Sequence, residues 1–214
     1  MTLRLALATL AALTAPLAAQ NPDPDKPVQG GGKLPAGWSA RVDKDAAMTN
    51  VKFETMGPTG LHVTTGPAVI LWKETDKGAG GFHTEATFTQ TKAPQHAEAY
   101  GLFVAGKDLK GDGQSYTYFI VRQDGKFMIR SRTGATTANV VAWSDHAALV
   151  KADAAGKATN KLEILVAKDK VTFSANGKEV HSMPVTAGTM DGVVGLRVNH
   201  NLDVHIEKFG VHKM

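Results

Sequence analysis

The sequence predicts an all-β fold in which two antiparallel sheets stack as a jelly-roll sandwich. From Trp38 onward, short segments alternate apolar and polar residues, which is the periodicity of a strand with one buried face. Gly, Asn, Asp and Pro separate these segments at the spacing of antiparallel turns. About fourteen segments are present, and this number suits a jelly roll better than an immunoglobulin sandwich of about seven strands.

The predicted strands follow one another to the end of the chain and leave little room for helix. Residues 144–155 are the only stretch compatible with a helical turn. The predicted strands are 38–43, 51–55, 60–65, 68–74, 81–91, 99–105, 115–123, 126–132, 138–143, 160–167, 170–175, 178–183, 192–198 and 202–211.

Turn residues predict the register of a hairpin in the middle of the chain. A three-residue loop that ends at Gly125 pairs Phe119 with Ile129 and Val121 with Phe127, and these four side chains point into the core. The alternate residues of both strands then share an outer face. They are Tyr116, Tyr118, Ile120, Arg122, Met128, Arg130 and Arg132.

Two later hairpins are predicted in the same way. The first pairs Ile164 with Phe173, and the turn that follows places Val180 opposite Phe173. The second joins the last two strands through residues 199–201 and places Arg197 beside Asp203 on an outer face.

Composition indicates one globular domain and excludes several classes of protein. The chain has 214 residues, of which 43% are hydrophobic and 21% charged, so it is neither disordered nor too short to bury a core. The formal net charge is +4, but the lysines are scattered and no basic run is interleaved with aromatic residues, so nucleic acid is not an expected partner. Because cysteine is absent, disulfides, thiolate metal sites and a lipoprotein anchor are excluded.

The N-terminus is typical of an exported protein. Residues 1–19 carry one cation, Arg4, before an apolar stretch that ends in small residues, which predicts a signal peptide cleaved after Ala19. An uncleaved anchor is the alternative. Residues 20–37 are rich in Pro and Gly and form a linker or a draped arm, and residues 38–214 form the sandwich domain. We expect a periplasmic or secreted protein that is not inserted in a membrane after cleavage.

Five segments give the chain a resemblance to a known superfamily. They are Tyr100–Val104, Tyr116–Gly125, Asn160–Val166, Phe173–Gly177 and Val194–His200. In them the sequence resembles the concanavalin A-like lectin/glucanase superfamily, in particular the bacterial laminin G-like and 3-keto-disaccharide-hydrolase-like (DUF1080-type) jelly rolls. The resemblance extends from Phe82 to Val211 and implies a curved sandwich whose concave outer sheet binds sugar. Some members are glycoside hydrolases, and many are noncatalytic modules.

One motif of the catalytic members is missing. Family 16-type glucanases carry a strand of the form Glu-x-Asp-x-(x)-Glu, whose carboxylates act as acid and nucleophile. The nearest segment in this chain is Asp203-x-His205-x-Glu207. This difference favours a noncatalytic member.

The outer face of the central hairpin is the predicted ligand-binding surface. Aromatic rings stack on the apolar faces of sugars, and guanidinium groups bind hydroxyl or carboxylate groups. A cross-strand ladder of Tyr and Arg without a ligand is the alternative. The predicted binding residues are Tyr116, Tyr118, Arg122, Arg130, Arg132 and Arg197.

The last strand carries a second group of polar side chains. Asp203, His205 and Glu207 alternate, so they share an outer face and are candidates for acid–base chemistry or metal binding. A solvated ion-pair face that includes Arg197 is the favoured explanation. If the protein is a hydrolase, Glu85 joins these three as a candidate catalytic residue.

A loop and the tryptophans complete the candidates. Asp108 and Asp112 lie in a loop of the kind that binds calcium, although a plain turn with two lysines beside it is favoured. No other cofactor is expected. Trp72 shares the phase of Ile70 and is predicted to be buried in the core, whereas Trp143 is either a core residue or a rim platform.

Three functional hypotheses follow from the sequence. The leading one is an exported, noncatalytic module that binds a carbohydrate or another surface ligand. The second is a glycoside hydrolase or a 3-keto-glycoside-processing enzyme of the same fold. The third is a structural envelope protein with an ion-paired outer face.

Overall fold

The computed structural model describes residues 27–43 and 47–214 and contains fourteen strands. The predicted signal peptide lies outside the described residues. The strands are β1 (Trp38–Val42), β2 (Val51–Met56), β3 (Gly60–Thr65), β4 (Val69–Gly78), β5 (Phe82–Gln90), β6 (Ala99–Lys107), β7 (Ser115–Arg122), β8 (Lys126–Thr133), β9 (Thr136–Asp145), β10 (Ala158–Val166), β11 (Lys170–Ala175), β12 (Lys178–Pro184), β13 (Gly192–Val198) and β14 (Asp203–Lys213).

The strands form two antiparallel sheets of seven strands each. Sheet I has the order β1-β4-β13-β6-β7-β8-β9, and sheet II has the order β12-β11-β10-β5-β14-β3-β2. All fourteen predicted strands are present, and the all-β sandwich is confirmed. The largest difference is in β4, which continues to Gly78 rather than ending at residue 74.

Residues 144–155, the stretch whose sequence is compatible with a helical turn, contain no helix. Its first two residues end β9, and the rest forms turns and irregular segments, in which the Asp153 side chain accepts hydrogen bonds from the amides of Ala155 and Lys157, both at 2.9 Å. An Asp that satisfies nearby amides in this way competes with helix formation. Within the described residues, the only helical segment is the single 3-10 turn Met48–Asn50, and no helix is long and apolar enough to cross a membrane.

The predicted registers are correct where the hairpin is tight. Phe119 faces Ile129 on β7 and β8, and Ile164 faces Phe173 on β10 and β11. The prediction for β12 is wrong by one residue. A bulge after Phe173 places His181, rather than Val180, opposite it.

The predicted hairpin of the last two strands is also wrong. β13 belongs to sheet I and β14 to sheet II, so residues 199–202 cross from one sheet to the other. The inner residues of both strands are apolar, among them Leu196 and Val204, and they pack in one core cluster. Two apolar strand faces can be buried against each other when the strands lie in stacked sheets, as well as when they are neighbours in one sheet. Arg197 and Asp203 therefore do not pair.

Two hydrophobic clusters stabilise the sandwich. The larger fills the space between the sheets and includes residues from both. The second lies on the outer face of sheet I. Trp72 is fully buried as predicted, but in the outer cluster rather than between the sheets. The outer cluster consists of Ile70, Trp72, Ala99, Phe103, Leu109, Tyr116, Tyr118, Ile120, Met128 and Val193.

Residues 27–37 run along the free edge of sheet II. Gly31 forms a parallel bridge with Lys52 on β2, and the Phe53 amide donates to the Gly31 carbonyl at 2.9 Å. A Cβ on Gly32 would lie 1.7 Å from the Phe53 carbonyl oxygen, so only glycine allows this approach. The segment thus covers backbone groups that an edge strand would otherwise expose.

We expect Gly32→Ala to detach this segment from β2. The variant combines the clash with a strained backbone, because Gly32 has a φ of +76°. The Phe53 amide should lose protection and exchange its hydrogen about tenfold faster or more, as measured by hydrogen exchange. Gly37→Ala is the matched control, because Gly37 has a similar φ of +83° but no atom within 4 Å of the added Cβ. Equal effects of the two substitutions would contradict this account.

Candidate functional site

The outer face of sheet I brings the two predicted tyrosines together but buries them. Tyr116 is 2% exposed and Tyr118 is 3% exposed, and their ring centroids lie 5.5 Å apart. Phe103 packs against Tyr116 at 5.1 Å. The faces of these two rings are therefore covered by protein. The tyrosines form part of the packing beneath the surface and cannot stack on a ligand.

A buried ion pair between Arg197 and Asp43 fills the centre of this face. Arg197 is 7% exposed, and it donates to Asp43 at 2.7 Å, to the Tyr116 hydroxyl at 3.0 Å and to Asn199 at 3.0 Å. Its guanidinium also lies over the Tyr118 ring, 5.0 Å from the centroid. Burial alone would raise the pKa of Asp43, but Arg197, Arg132 and Arg41 together lower it by more, so the carboxylate stays charged.

Arg132 completes this arrangement. It donates to the second Asp43 oxygen at 3.1 Å and to the Gly134 carbonyl at 2.9 Å. One carboxylate is thus held between two guanidinium groups from β8 and β13. In this part of the face the structure has the Tyr–Arg ladder that was the alternative to ligand binding.

The accessible part of the face lies at the edge formed by β8 and β9. Two bulges in the pairing of these strands alter the register along β9. Trp143 packs on the outer cluster but stays partly exposed, and the Arg122 guanidinium lies 4.4 Å from its ring centroid. Arg122 is held in turn by two hydrogen bonds to Asp124, at 2.9 and 2.5 Å. Trp143 is therefore a braced, partly accessible aromatic ring.

Arg130 is the unusual cation of this edge. It lies between Tyr118 and the exposed Asn139 in the cross-strand register, and one terminal nitrogen donates to the Thr137 hydroxyl at 2.7 Å. Its Nε is buried without a hydrogen-bond partner. Among the described residues it has no carboxylate partner, unlike Arg122, Arg132 and Arg197 of the same face. We call Trp143, Arg122, Arg130, Asn139 and Thr137 the β8–β9 edge.

Glu98 and His200 form a polar pair that the sequence did not predict. Glu98 precedes β6 and His200 follows β13, and His200 Nε2 lies 2.6 Å from Glu98 Oε1. Burial raises the pKa of Glu98, although His200 opposes this change. The negative charge of Glu98 also helps to raise the pKa of Arg122. Only the pairing of non-consecutive strands brings these residues together, so no local pattern signals them.

Asp203 is fully engaged within the fold. One of its oxygens contacts His62 at 2.8 Å and accepts a hydrogen bond from Thr91, and the other contacts Lys92 at 2.7 Å and Thr64 at 3.1 Å. Burial would raise the pKa of Asp203, but the hydrogen bonds from Lys92, Thr91 and His62 hold it well below its usual range. This carboxylate ties three chain segments together.

The other hydrolase candidates share the outer face of sheet II with Asp203. Burial lowers the pKa of His205, and His62 lowers it further. Glu207 is exposed. The pKa of Glu85 is lowered, chiefly by a hydrogen bond from Lys161, whose ammonium lies at 2.6 Å. All four candidates are thus on the side of the sandwich opposite the Tyr and Arg residues.

The loop with Asp108 and Asp112 forms a turn stabilised by its own groups. The Asp108 carboxylate accepts a hydrogen bond from the Gly113 amide at 3.1 Å, and the Asp108 carbonyl accepts one from Gly111 at 2.9 Å. Asp112 lies 3.8 Å from Arg41. Calcium binding by this loop stays a prediction.

The fold is shared with several solved structures. The carbohydrate-binding module CBM66 from Bacillus subtilis matches with a TM-score of 0.61 and 12% identity, over 83% of this chain and 96% of that one. A Bacillus subtilis protein of unknown function with a galectin-like fold has a TM-score of 0.58 and 14% identity, over 82% and 89%. A Bacteroides ovatus GH16 protein, described as mixed linkage glucan PUL and in complex with a G4G4G3G product, has a TM-score of 0.56 and 8% identity, over 81% and 94%.

These likenesses confirm the concanavalin A-like jelly roll. No family model and no curated protein matches the sequence. The closer resemblance to the DUF1080 type stays a prediction.

We expect Asp203→Asn to destabilise the protein at neutral pH by about 1–3 kcal/mol, because buried donors lose a charged acceptor. The folded-state pKa of Asp203 is below its unfolded value, so its contribution is present above about pH 4 and is lost as the pH falls. Urea unfolding from pH 7 to pH 2 should therefore show a constant difference between wild type and variant above about pH 4 and a difference that narrows steadily below it. Asp112→Asn, which removes a fully exposed carboxylate, is the control and should match wild type throughout. A gap that stays constant with pH would refute this role for Asp203.

Proposed function

We propose that this chain is an exported, noncatalytic module that binds glycans at the β8–β9 edge. The observation that carries the proposal is Arg130, a partly buried cation without an acidic partner in the described residues, on the same edge as the partly exposed Trp143. Elsewhere on this face the arginines are neutralised or hydrogen-bonded by the protein. At the β8–β9 edge, charge and an aromatic ring remain available to a ligand.

The chemistry of this edge matches that of a sugar ring. A pyranose or furanose has apolar C–H faces that stack on an indole and hydroxyl groups that accept hydrogen bonds from guanidinium and amide groups. Trp143 supplies the ring, and Arg130 and the exposed Asn139 supply donors. Because Arg122 and Asp124 brace the indole, little side-chain entropy is lost when a ligand stacks on it.

The proposal moves the binding residues away from those expected first. Tyr116, Tyr118 and Arg197 are buried in the face and serve as its foundation. Arg132 is occupied by Asp43 and Gly134. Arg130 remains as a binding residue, Arg122 holds Trp143 in place, and Trp143 is added as the stacking platform.

The solved structures of the same fold support the sugar as the ligand class. One is the carbohydrate-binding module CBM66, and another is a GH16 protein in complex with a G4G4G3G product. The likeness extends to the fold alone, so the proposal depends on the residues of the edge.

Carboxylates near this edge are poorly suited to acid catalysis. The pKa of Asp124 is lowered by its hydrogen bond from Arg122, and that of Asp43 is lowered by Arg197 against the effect of burial. A general acid needs a pKa near the working pH. Both groups are therefore charged at neutral pH and cannot protonate a leaving group.

Glu98 is the observation that favours a second candidate, a glycoside hydrolase or a 3-keto-glycoside-processing enzyme. Its carboxyl group is largely buried, its pKa is raised, and it lies near enough to Arg122 to affect that residue's pKa. These are properties of a general acid.

We expect Trp143→Ala and Arg130→Ala each to weaken glycan binding by about tenfold or more, which corresponds to ~1.4 kcal/mol. Binding is measured first on an array of neutral and uronic-acid glycans and then by calorimetry on the best ligand. Val140→Ala is the matched control on the same strand, because Val140 is 42% exposed and outside the edge. Unchanged affinity in both edge variants, with folding intact by circular dichroism, would remove the site.

Incubation of the purified protein with the glycans that it binds separates the two candidates. The noncatalytic proposal predicts no new reducing ends or altered sugars by mass spectrometry. If products form with wild type and are lost in Glu98→Gln while binding persists, the hydrolase candidate replaces the noncatalytic one.

A further inference from the structure

The outer face of sheet II carries a mixed group of imidazoles and carboxylates on its central strands. Glu85 on β5 lies directly opposite Glu163 on β10, and His83 on β5 lies directly opposite His212 on β14. These four residues, which we call the His–Glu cluster, come from three adjacent strands. They are not part of the β8–β9 edge, which belongs to the other sheet.

Three ligating atoms of the cluster already converge. His83 Nε2 lies 3.2 Å from Glu163 Oε1 and 3.7 Å from Glu85 Oε2, and the three atoms all lie within 4.8 Å of one another. Tetrahedral metal–ligand bonds of about 2.0–2.2 Å place neighbouring ligand atoms about 3.3 Å apart. The two distances from His83 Nε2 are close to this value and the third is at most 4.8 Å, so side-chain rotations without a backbone change bring the three atoms to ligand spacing.

His212 lies beside the three converging residues and is the nearest further imidazole on this face. Its ring stacks on that of His83, with the centroids 5.7 Å apart. A Cβ on Gly210 would lie 2.9 Å from His212 Nε2, so the imidazole occupies the space that the missing side chain leaves. Gly210 is the cross-strand neighbour of Glu85, which brings the His212 nitrogen toward the carboxylates.

The electrostatics of the cluster require a cation. Like charges directly opposite each other on neighbouring strands destabilise a sheet. Lys161 relieves this repulsion, because its ammonium lies 2.6 Å from Glu85 and 3.4 Å from Glu163. The Lys161 side chain is 43% exposed, so its ammonium can move into water when another cation takes its place.

We propose that the His–Glu cluster binds one divalent transition-metal ion of the Zn²⁺ class, with Lys161 as the competing cation. Two imidazoles and two carboxylates form a ligand set that suits Zn²⁺, Cu²⁺ or Ni²⁺, whereas Ca²⁺ and Mg²⁺ take oxygen ligands almost exclusively. The ion ties together β10, β5 and β14 at the centre of sheet II. This site is independent of the proposed glycan binding.

Calorimetric titration of the untagged, chelator-treated protein with Zn²⁺ tests the proposal. One ion should bind per chain. His83→Ala and Glu163→Gln should each weaken binding by about tenfold or more, and His212→Ala should also weaken it. Lys161→Ala should tighten binding severalfold, because it removes the competing ammonium, and this result is not expected of a structural ion-pair network.

A second pair of histidines on the same sheet provides the control. His62 and His205 lie with their ring centroids 4.5 Å apart, beside Asp203. His205→Ala should leave the affinity unchanged. The proposal is overturned if Zn²⁺ does not bind at micromolar concentrations, if His205→Ala abolishes binding, or if Lys161→Ala leaves the affinity as it is.

Discussion

Side chains on a strand alternate between two faces, and in a two-sheet sandwich one face of every strand must enter the shared core. Here the inner faces form one apolar cluster that draws on both sheets. Most polar groups therefore lie in loops and on two outer faces, which are separated by the core and by sheets packed about 10 Å apart. This constraint decides which side chains can act together. Arg197 and Asp203 are near in sequence but belong to opposite outer faces.

The outer face of sheet I shows how a buried charge shapes a surface. A guanidinium that is removed from water needs a carboxylate and full hydrogen bonding. Asp43 and Tyr116 meet this need for Arg197, and the aromatic rings beneath become a second, smaller core. The centre of the face is thereby closed, and accessibility is confined to the edge at β9. A ligand surface built on such a foundation is rigid before the ligand arrives.

The sequence predicts those features of the fold that depend on residues close together in the chain. It does not predict features that depend on contacts between distant residues. The pairing of Phe119 with Ile129 follows from one tight turn, and the outward phase of Tyr118 follows from that pairing. Burial of the tyrosines does not follow, because it depends on Asp43, which is 154 residues from its partner Arg197. The crossing after β13 resembles a hairpin locally, since apolar alternation continues on both sides of the turn. Only the packing of whole sheets distinguishes the two.

The two outer faces differ in how they hold their cations, and this difference indicates what each accepts. Arg130 lies between neighbouring strands and its Nε is buried, so the guanidinium cannot swing away from the sheet. A hydroxyl group or an anion can therefore bind it without displacing it. Lys161 is tethered only by its flexible stem above two carboxylates that belong to the sheet. On sheet II the fixed groups are the two carboxylates and the mobile group is the ammonium. Replacement of this ammonium by another cation therefore needs no change in the backbone. The proposed glycan site thus depends on fixed donors on sheet I, whereas the proposed metal site depends on fixed acceptors on sheet II.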